Sequence, residues 1–215
     1  MMNKPIFVSG SHGSGKTTLI NKLLKKYNVF MDNDFDLDFS IEFSGLKQLS
    51  DFERCLIRLY HRIYLTTHSY EMAETNPDKV IITSRGIYDS EAYINTYSRG
   101  DWISKNQKDK LDFILNNRIL QPYTIILNPP FEVIKERLTN RINQHTRALR
   151  DDLFKREDTD EFLKVMNVYF EGYKGKENVL YIEDNSDAEI EKIMVWIESI
   201  NNSEQILQRE DMLCY

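Results

Sequence analysis

Short hydrophobic runs alternate along this chain with longer stretches in which hydrophobic residues recur at helical spacing. Five runs have the length and composition of buried strands, at residues 6–8, 28–31, 79–83, 123–127 and 178–182. After the first run, Leu19, Ile20, Leu23 and Leu24 fall on one face of a helix. Strands that alternate with helices predict an α/β fold built on a parallel sheet, and we find no internal repeat or linker that divides the chain.

Capping signatures predict where several helices begin. A serine followed three positions later by glutamate or glutamine, the pattern of a capping box, occurs at Ser50, Ser104 and Ser186. The first of these opens a long helix that we expect to end near Thr75, because Pro77 disfavours the helical conformation in the residue before it. Further helices are predicted over residues 90–97, 131–144 and 160–173.

An acidic segment follows the second predicted strand. Residues 34–43 alternate between hydrophobic and mostly acidic side chains, which is the period of a strand, and an ordered loop is the alternative for so acidic a segment. Asp32, Asp34 and Asp36 are spaced like the ligands of a calcium-binding loop. However, Leu37 and Phe43 occupy positions where that loop requires glycine and glutamate, so we exclude this class of site.

The composition fits one soluble domain. The 215 residues are 41% hydrophobic and 29% charged, with 8 glycines and 5 prolines, which excludes collagen-like and low-complexity classes. No hydrophobic run approaches the ~18 residues of a membrane span. Cys55 and Cys214 lack metal-ligand spacing, so we expect a protein of the reducing cytoplasm. We expect a folded domain over residues 1–200 and a polar tail without regular structure over 201–215.

Charge is distributed unevenly along the chain. The net charge of −6, from 28 basic and 34 acidic residues, argues against a nucleic-acid partner. Residues 135–156, by contrast, contain seven basic and three acidic residues, whereas residues 27–46 contain five acidic residues and no lysine or arginine. This division indicates an acidic site for a cation and a separate basic site for anions.

A phosphate-binding motif follows the first predicted strand. Residues 10–17 match G-x-x-x-x-G-K-[ST] at every defined position. Glycines let several backbone N–H groups face one anion, and the helix that begins near Lys16 directs its positive end there. Lys16 can reach the β- and γ-phosphates of a nucleoside triphosphate, and the Thr17 hydroxyl can ligate Mg²⁺. The predicted nucleotide-binding residues of this loop are Gly10, Ser11, His12, Gly13, Ser14, Gly15, Lys16, Thr17 and Thr18. We interpret His12, at a variable position, as a spacer.

Four later segments extend this motif into an ordered series. They are Thr83-Ser84-Arg85-Gly86-Ile87-Tyr88, Ile125-Ile126-Leu127-Asn128-Pro129-Pro130, Glu136-Arg137-Leu138-x-x-Arg141 and Phe162-Leu163-Lys164-Val165-x-x-x-Tyr169. With the phosphate-binding loop, the series resembles the thymidylate kinase and deoxynucleoside kinase branch of the P-loop kinases over residues 6–197. The resemblance implies a three-layer P-loop NTPase fold with a five-stranded parallel sheet, helices on both faces and an arginine-rich lid, here at about 137–157.

The resemblance also implies roles for individual residues. Arg85 would be the arginine near the transferred phosphoryl group. Asp34, or its neighbour Asp32, would be the acid after the second strand, either as general base for a hydroxyl or as an indirect Mg²⁺ ligand. Arg137 and Arg141 match the arginine spacing of the lid and lie one helical turn apart, so both can face one phosphate.

The chain departs from the family pattern at two positions. Ser84 stands where the family has an acid before the arginine, and Asn143 stands where deoxynucleoside kinases usually have a third lid arginine. The long helix over 51–75 would form the interface of a homodimer, as in kinases of this resemblance. Its aromatic residues, with Arg54 or Arg58, are candidates to line a base-binding cleft.

These observations predict an ATP-dependent phosphotransferase with Mg²⁺ as cofactor and ATP as co-substrate. The acceptor would be a (deoxy)nucleoside or nucleoside monophosphate, and the candidate catalytic residues are Lys16, Asp34, Arg85 and Arg141. A P-loop ATPase module is the alternative, but that class usually has an acid after a hydrophobic strand, where this chain has Ser84 and Asn128. A kinase that acts on a base or an end in DNA is disfavoured by the acidic net charge. A GTP-dependent switch is disfavoured because the chain has no N-K-x-D motif.

Overall fold

Five parallel strands form one sheet. The computed structural model describes residues 4–33, 48–117, 122–144 and 155–213, with side chains described as far as residue 200. The strands are β1 (Ile6–Ser9), β2 (Phe30–Asp32), β3 (Val80–Ser84), β4 (Tyr123–Leu127) and β5 (Val179–Ile182). Their order across the sheet is β2-β3-β1-β4-β5, and neighbouring strands pair in parallel. The carboxyl ends of the strands therefore lie along one edge, where ligands bind in sheets of this kind.

Helices connect the strands. They are α1 (Lys16–Lys26), α2 (Asp51–Thr75), α3 (Ile87–Arg99), α4 (Lys105–Asn116), α5 (Phe131–Asn143), α6 (Asp160–Glu171) and α7 (Asp187–Leu213). A 3-10 helix at Lys155–Asp158 precedes α6. The predicted capping boxes form at Ser50 and Ser104, each with a reciprocal bond from the third residue of its helix. No helix in the described part of the chain combines the length and hydrophobicity that a membrane crossing requires.

Hydrophobic cores lie on both faces of the sheet. Along β4, Ile126 packs into a core with α2, α3, α4 and α6, whereas Ile125 and Leu127 pack into the opposite core with α1 and α7. Successive side chains of a strand point to opposite faces, so β4 and β5 contribute to both cores. Helices thus cover both faces, which confirms the predicted α/β architecture.

The structure differs from the sequence predictions at the ends of elements. Strand β2 begins at Phe30, two residues later than expected, and α3 begins at Ile87 rather than at Ser90. Helix α7 continues past the predicted domain boundary to Leu213, so residues 201–213 are helical and the prediction of an irregular tail is wrong. Residues of good helix propensity, such as glutamate, glutamine and leucine, recur there. Residues 34–43 lie outside the described residues.

Candidate functional site

The phosphate-binding motif forms a tight loop between β1 and α1. The loop begins at Gly10, and α1 begins at Lys16, so the predicted order of strand, loop and helix is confirmed. A Cβ atom on Gly10 would lie 2.3 Å from the carbonyl oxygen of Leu127, so a side chain does not fit there. Gly13 and Gly15 have φ angles of 81° and 103°, in the left-handed region that favours glycine. The backbone is therefore curled at the N-terminus of α1, an arrangement that suits an anion.

The middle of the loop is largely buried. Ser11 and Ser14 are inaccessible to solvent, and the Ser14 N–H donates to the Ser11 carbonyl oxygen at 3.2 Å. The ring of His12, by contrast, packs toward the helices, with its centroid 6.3 Å from that of Phe162 on α6. The backbone of the loop, rather than these three side chains, is therefore what the loop offers to a phosphate.

Lys16 is held inside this loop. Its Nζ donates to the carbonyl oxygens of Gly10 and Ser11, both at 2.8 Å, and the residue is 6% exposed. Burial, helped by the positive charge of Arg85 and opposed by the negative charge of Asp89, lowers the pKa of Lys16 to about 7. The ammonium group is thus placed where the phosphate oxygens of a nucleotide can replace the carbonyl oxygens as its partners.

Thr17 and Thr18 are exposed in the first turn of α1. Within the described ranges, no three His, Cys, Asp or Glu residues lie close enough together to hold a metal ion. Mg²⁺ in a nucleotide site usually takes one or two protein ligands and fills the remaining positions with water and phosphate oxygens. The exposed Thr17 hydroxyl is the candidate protein ligand.

A buried aspartate joins the loop to the turn after β3. Asp89, on the first turn of α3, is 3% exposed. One carboxylate oxygen accepts from the Gly86 N–H at 2.9 Å, and the other accepts from the Gly10 N–H at a longer 3.4 Å. Sequence reasoning missed this residue, because no motif marks an acid four positions after Arg85. The sequence does contain one signal for it: Asp89 lies three residues after Gly86, which is the position of the acid in a capping box.

Arg85 lies at the carboxyl end of β3, beside the loop. Its N–H donates to the Val8 carbonyl oxygen at 2.8 Å, and its guanidinium group is hydrogen-bonded to Tyr93 of α3. The φ angle of Arg85 is 68°, a left-handed conformation that is rare for residues other than glycine. Backbone strain of this kind clusters at functional sites. The charge of Arg85 also acts on Lys16, so the structure brings these two predicted residues together.

The basic helix α5 covers the outer side of the loop. Arg137 Nη1 donates to the carbonyl oxygen of Ser14, and Arg141 is close enough to Lys16 to act on its charge. Beside the loop is a cleft of about 380 Å³, lined by Gly15, Thr18, Arg137, Asn140, Arg141, Gln144 and Asn185. Both predicted lid arginines therefore lie next to the loop. Residues 145–154 of the predicted lid lie outside the described residues.

The acids after β2 are described only in part. Asp32 ends β2 and pairs with Ile82 of β3. The next residue, Asn33, is buried, and its side-chain amide donates to the Ser69 hydroxyl at 2.9 Å. These contacts fix the point at which the chain leaves β2, at the edge of the sheet that carries the loop. Asp34, the predicted catalytic acid, lies outside the described residues.

An ion pair with a buried carboxylate joins α2 to the 3-10 helix. Glu157, which is 6% exposed, accepts from Arg58 Nη1 at 3.0 Å and from the Tyr97 hydroxyl. The Arg58 guanidinium carbon lies 5.5 Å from the centroid of the Tyr93 ring. Arg54, the other arginine predicted for a base-binding cleft, pairs at 2.5 Å with an aspartate in the first turn of α2. Both arginines predicted for the cleft are therefore paired with a carboxylate.

Comparisons with known proteins find a likeness in structure. No protein-family model and no curated protein matches the sequence. Solved structures of deoxyadenosine kinase from M. mycoides are similar. The structure with the products dCMP and a flexible dCDP has a TM-score of 0.63 at 17% identity, covering 91% of this chain and 99% of that one. The structure with dCTP has a TM-score of 0.64 at 17% identity with the same coverage. The structure with dATP has a TM-score of 0.58 at 16% identity, covering 94% and 99%. The chain thus has the P-loop fold of this deoxynucleoside kinase.

Proposed function

We propose that this protein is a phosphotransferase that transfers the γ-phosphoryl group of Mg·ATP to a (deoxy)nucleoside or a nucleoside monophosphate. The observation that carries the proposal is the convergence of cationic side chains on one loop. Lys16 lies inside the loop, Arg85 reaches it from the end of β3, and Arg137 contacts it from α5. Phosphoryl transfer depends mainly on positioning and on neutralising charge, which such a cluster supplies.

The donor nucleotide would lie along the loop and in the cleft beside α5. Backbone N–H groups of the loop and Lys16 would hold its phosphates. Arg137 and Arg141 present guanidinium groups, which bind phosphate and stack on aromatic rings, and the cleft also contains three side-chain amides that can hydrogen-bond the edge of a base. Mg²⁺ would be held by Thr17 together with phosphate oxygens, and its charge would stabilise the phosphates during transfer.

The acceptor would bind between the end of β2 and Arg85. In this arrangement Asp34, or Asp32 in its place, takes the proton of the attacking hydroxyl group, and Arg85 contacts the transferred phosphoryl group. Arg58 and Tyr93 form the neighbouring wall. The structures of M. mycoides deoxyadenosine kinase with dCTP and dATP support a (deoxy)nucleoside or nucleotide as the class of ligand.

A P-loop ATPase module is the second candidate, and the strand ends argue against it. Such a module needs an acid that orients water, and β3 ends in Ser84. Asn128, which follows β4, donates from its amide to the carbonyl oxygen of Asn167 at 2.9 Å and to the hydroxyl of Tyr181 at 3.0 Å. The Asn128 side chain is therefore occupied in linking β4 to its neighbours.

The proposal is tested by following ADP formation from Mg·ATP across a panel of nucleosides and nucleoside monophosphates. Lys16→Ala is the inactive variant, and Lys25→Ala, an exposed lysine at the far end of α1, is the matched control. We expect ADP formation that requires one acceptor and is lost only with Lys16→Ala. Hydrolysis that depends on Lys16 but is indifferent to every acceptor would contradict the kinase and favour the ATPase.

A further inference from the structure

Four polar side chains from four segments form a continuous line of contacts that begins at Arg85. The Arg85 guanidinium group is hydrogen-bonded to the Tyr93 hydroxyl. The Tyr93 oxygen lies 2.9 Å from Nδ1 of His12 in the phosphate-binding loop. On the other side of the ring, His12 Nε2 lies 3.0 Å from a carboxylate oxygen of Asp158. The line therefore connects the arginine beside the loop with the 3-10 helix that precedes α6.

The chemistry of these groups indicates which of them donates and which accepts each hydrogen bond. Arginine can only donate hydrogen bonds, and a carboxylate ion can only accept them. Burial raises the pKa of Tyr93, so its hydroxyl keeps its proton. The Asp158 carboxylate beside Nε2 favours the tautomer with its proton on that nitrogen, and in this tautomer Nδ1 accepts from the Tyr93 O–H.

Phosphate binding does not explain a histidine at this position. In the G-x-x-x-x-G-K-[ST] loop, backbone N–H groups and the lysine hold the anion, and the third residue is unrestricted. The side chains of His12 and Asp158 are nevertheless only 16% and 13% exposed. Phe162 and Tyr93 pack near the ring, with centroids 6.3 and 6.4 Å away. A ring that is held on its faces and contacted at both nitrogens has one preferred orientation.

We propose that His12 is a positioning residue for phosphoryl transfer. Through Tyr93 it holds the Arg85 guanidinium in the orientation that faces the transferred phosphoryl group, and Asp158 fixes the His12 ring. The segment immediately after the basic stretch 135–156 is thereby linked to the arginine beside the loop. This inference rests on the proposed function, because that function is what gives Arg85 a phosphoryl group to contact.

Two substitutions at His12 test the roles of its two ring nitrogens one at a time. In His12→Asn the amide oxygen replaces Nδ1 and keeps the Tyr93 partner, whereas in His12→Gln the amide nitrogen replaces Nε2 and keeps only the Asp158 partner. We expect His12→Gln and His12→Ala to lower kcat about tenfold and His12→Asn to lower it less than about threefold. The KM for ATP should change less than about twofold, because the loop backbone is unchanged. Equal losses in the Asn and Gln variants would overturn the proposal.

A double-mutant cycle tests whether Asp158 acts through His12. Asp158→Asn should lower kcat in the wild-type background and have no further effect in the His12→Ala background. Tyr93→Phe should likewise abolish the effect of each His12 substitution. Additive losses in kcat would contradict the line of contacts, whatever the effect of each variant on thermal stability.

Two further readouts separate this inference from the proposed function. Nitrogen-15 NMR of the His12 ring should show the proton on Nε2 in the unliganded protein, and a proton on Nδ1 would overturn the assigned direction. If the wild-type protein phosphorylates no acceptor, the proposed function fails, and the same cycle is measured on Lys16-dependent ATP hydrolysis. Additivity in that assay would then overturn the positioning role as well.

Discussion

The amino group of Lys16 is buried, so little water can solvate its charge. Burial and the nearby Arg85 disfavour its ammonium form, which is why its pKa falls to about 7. The oxygens of a triphosphate would reverse this balance, because they are anionic and would lie against Nζ. Above pH 7, therefore, we expect mostly neutral Lys16 in the free protein and the charged form in the proposed nucleotide complex.

We expect nucleotide binding to take up about one proton between pH 7 and the ordinary lysine pKa of 10.5. Isothermal titration calorimetry in two buffers of different ionisation enthalpy measures this number. In the same window the unfolded chain binds the Lys16 proton and the folded chain does not, so the free energy of unfolding of the free protein should rise with pH. Binding without proton uptake at pH 8.5 would show that Lys16 is charged beforehand.

The left-handed backbone of Arg85 predicts opposite effects of substitution on stability and on activity. Arg85→Gly relieves the strain and Arg85→Ala keeps it, so we expect the glycine variant to be more stable by about 1 kcal/mol. Both variants lose the guanidinium group, and both should lose about a hundredfold or more in kcat. Urea unfolding and steady-state kinetics measure the two effects. A glycine variant less stable than the alanine variant would show that the conformation is not strained.

At the scale of elements, the turn after β3 depends on Asp89. We expect Asp89→Asn to lower the free energy of unfolding by about 1–3 kcal/mol, because an amide can accept through one oxygen only and its NH₂ group would face a second N–H. Asp109→Asn, on the exposed side of α4, is the matched control and should change it by less than about 0.5 kcal/mol. Equal effects of the two variants in urea unfolding would argue against a structural role for Asp89.

Elements with a local signal were predictable, and elements defined by distant contacts were not. The buried strand Tyr123–Leu127 and the capping boxes at Ser50 and Ser104 have all of their signal within a few residues. The start of α3 was missed, because Gly86 precedes it where a serine or threonine cap is usual. The contact between His12 and Tyr93 spans 81 residues and has no local pattern, so only the folded chain shows it.

At the scale of the whole molecule, sheet order explains why the loop could be predicted and its surroundings could not. Strand β1 lies between β3 and β4, so the elements that follow three different strands meet at its carboxyl end. The motif identifies the loop at that point. Which residues of α2, α3 and the 3-10 helix face the loop depends on packing between helices that are far apart in sequence.

Helix α2 presents two exposed tyrosines, and we expect it to form a homodimer interface. Tyr60 and Tyr64 are 57% and 52% exposed and lie one turn apart on the same face. We expect the double substitution Tyr60→Glu and Tyr64→Glu to convert the dimer to a monomer, because glutamates of the two subunits would be buried against each other. Light scattering measures the change in mass. Phe113→Glu, on the 69% exposed Phe113 of α4, should leave the dimer intact. A wild-type protein that is monomeric at micromolar concentration would contradict this expectation.

The pairing of Lys16 with carbonyl oxygens of its own loop has a kinetic consequence. Because the glycine-rich backbone is already curled at the N-terminus of α1, an arriving triphosphate has to exchange the partners of one side chain and does not have to order a loop. Side chains reorient faster than loops move. Under the proposed function, we therefore expect the rate of nucleotide capture to be governed by diffusion and by electrostatic attraction toward the arginines of α5.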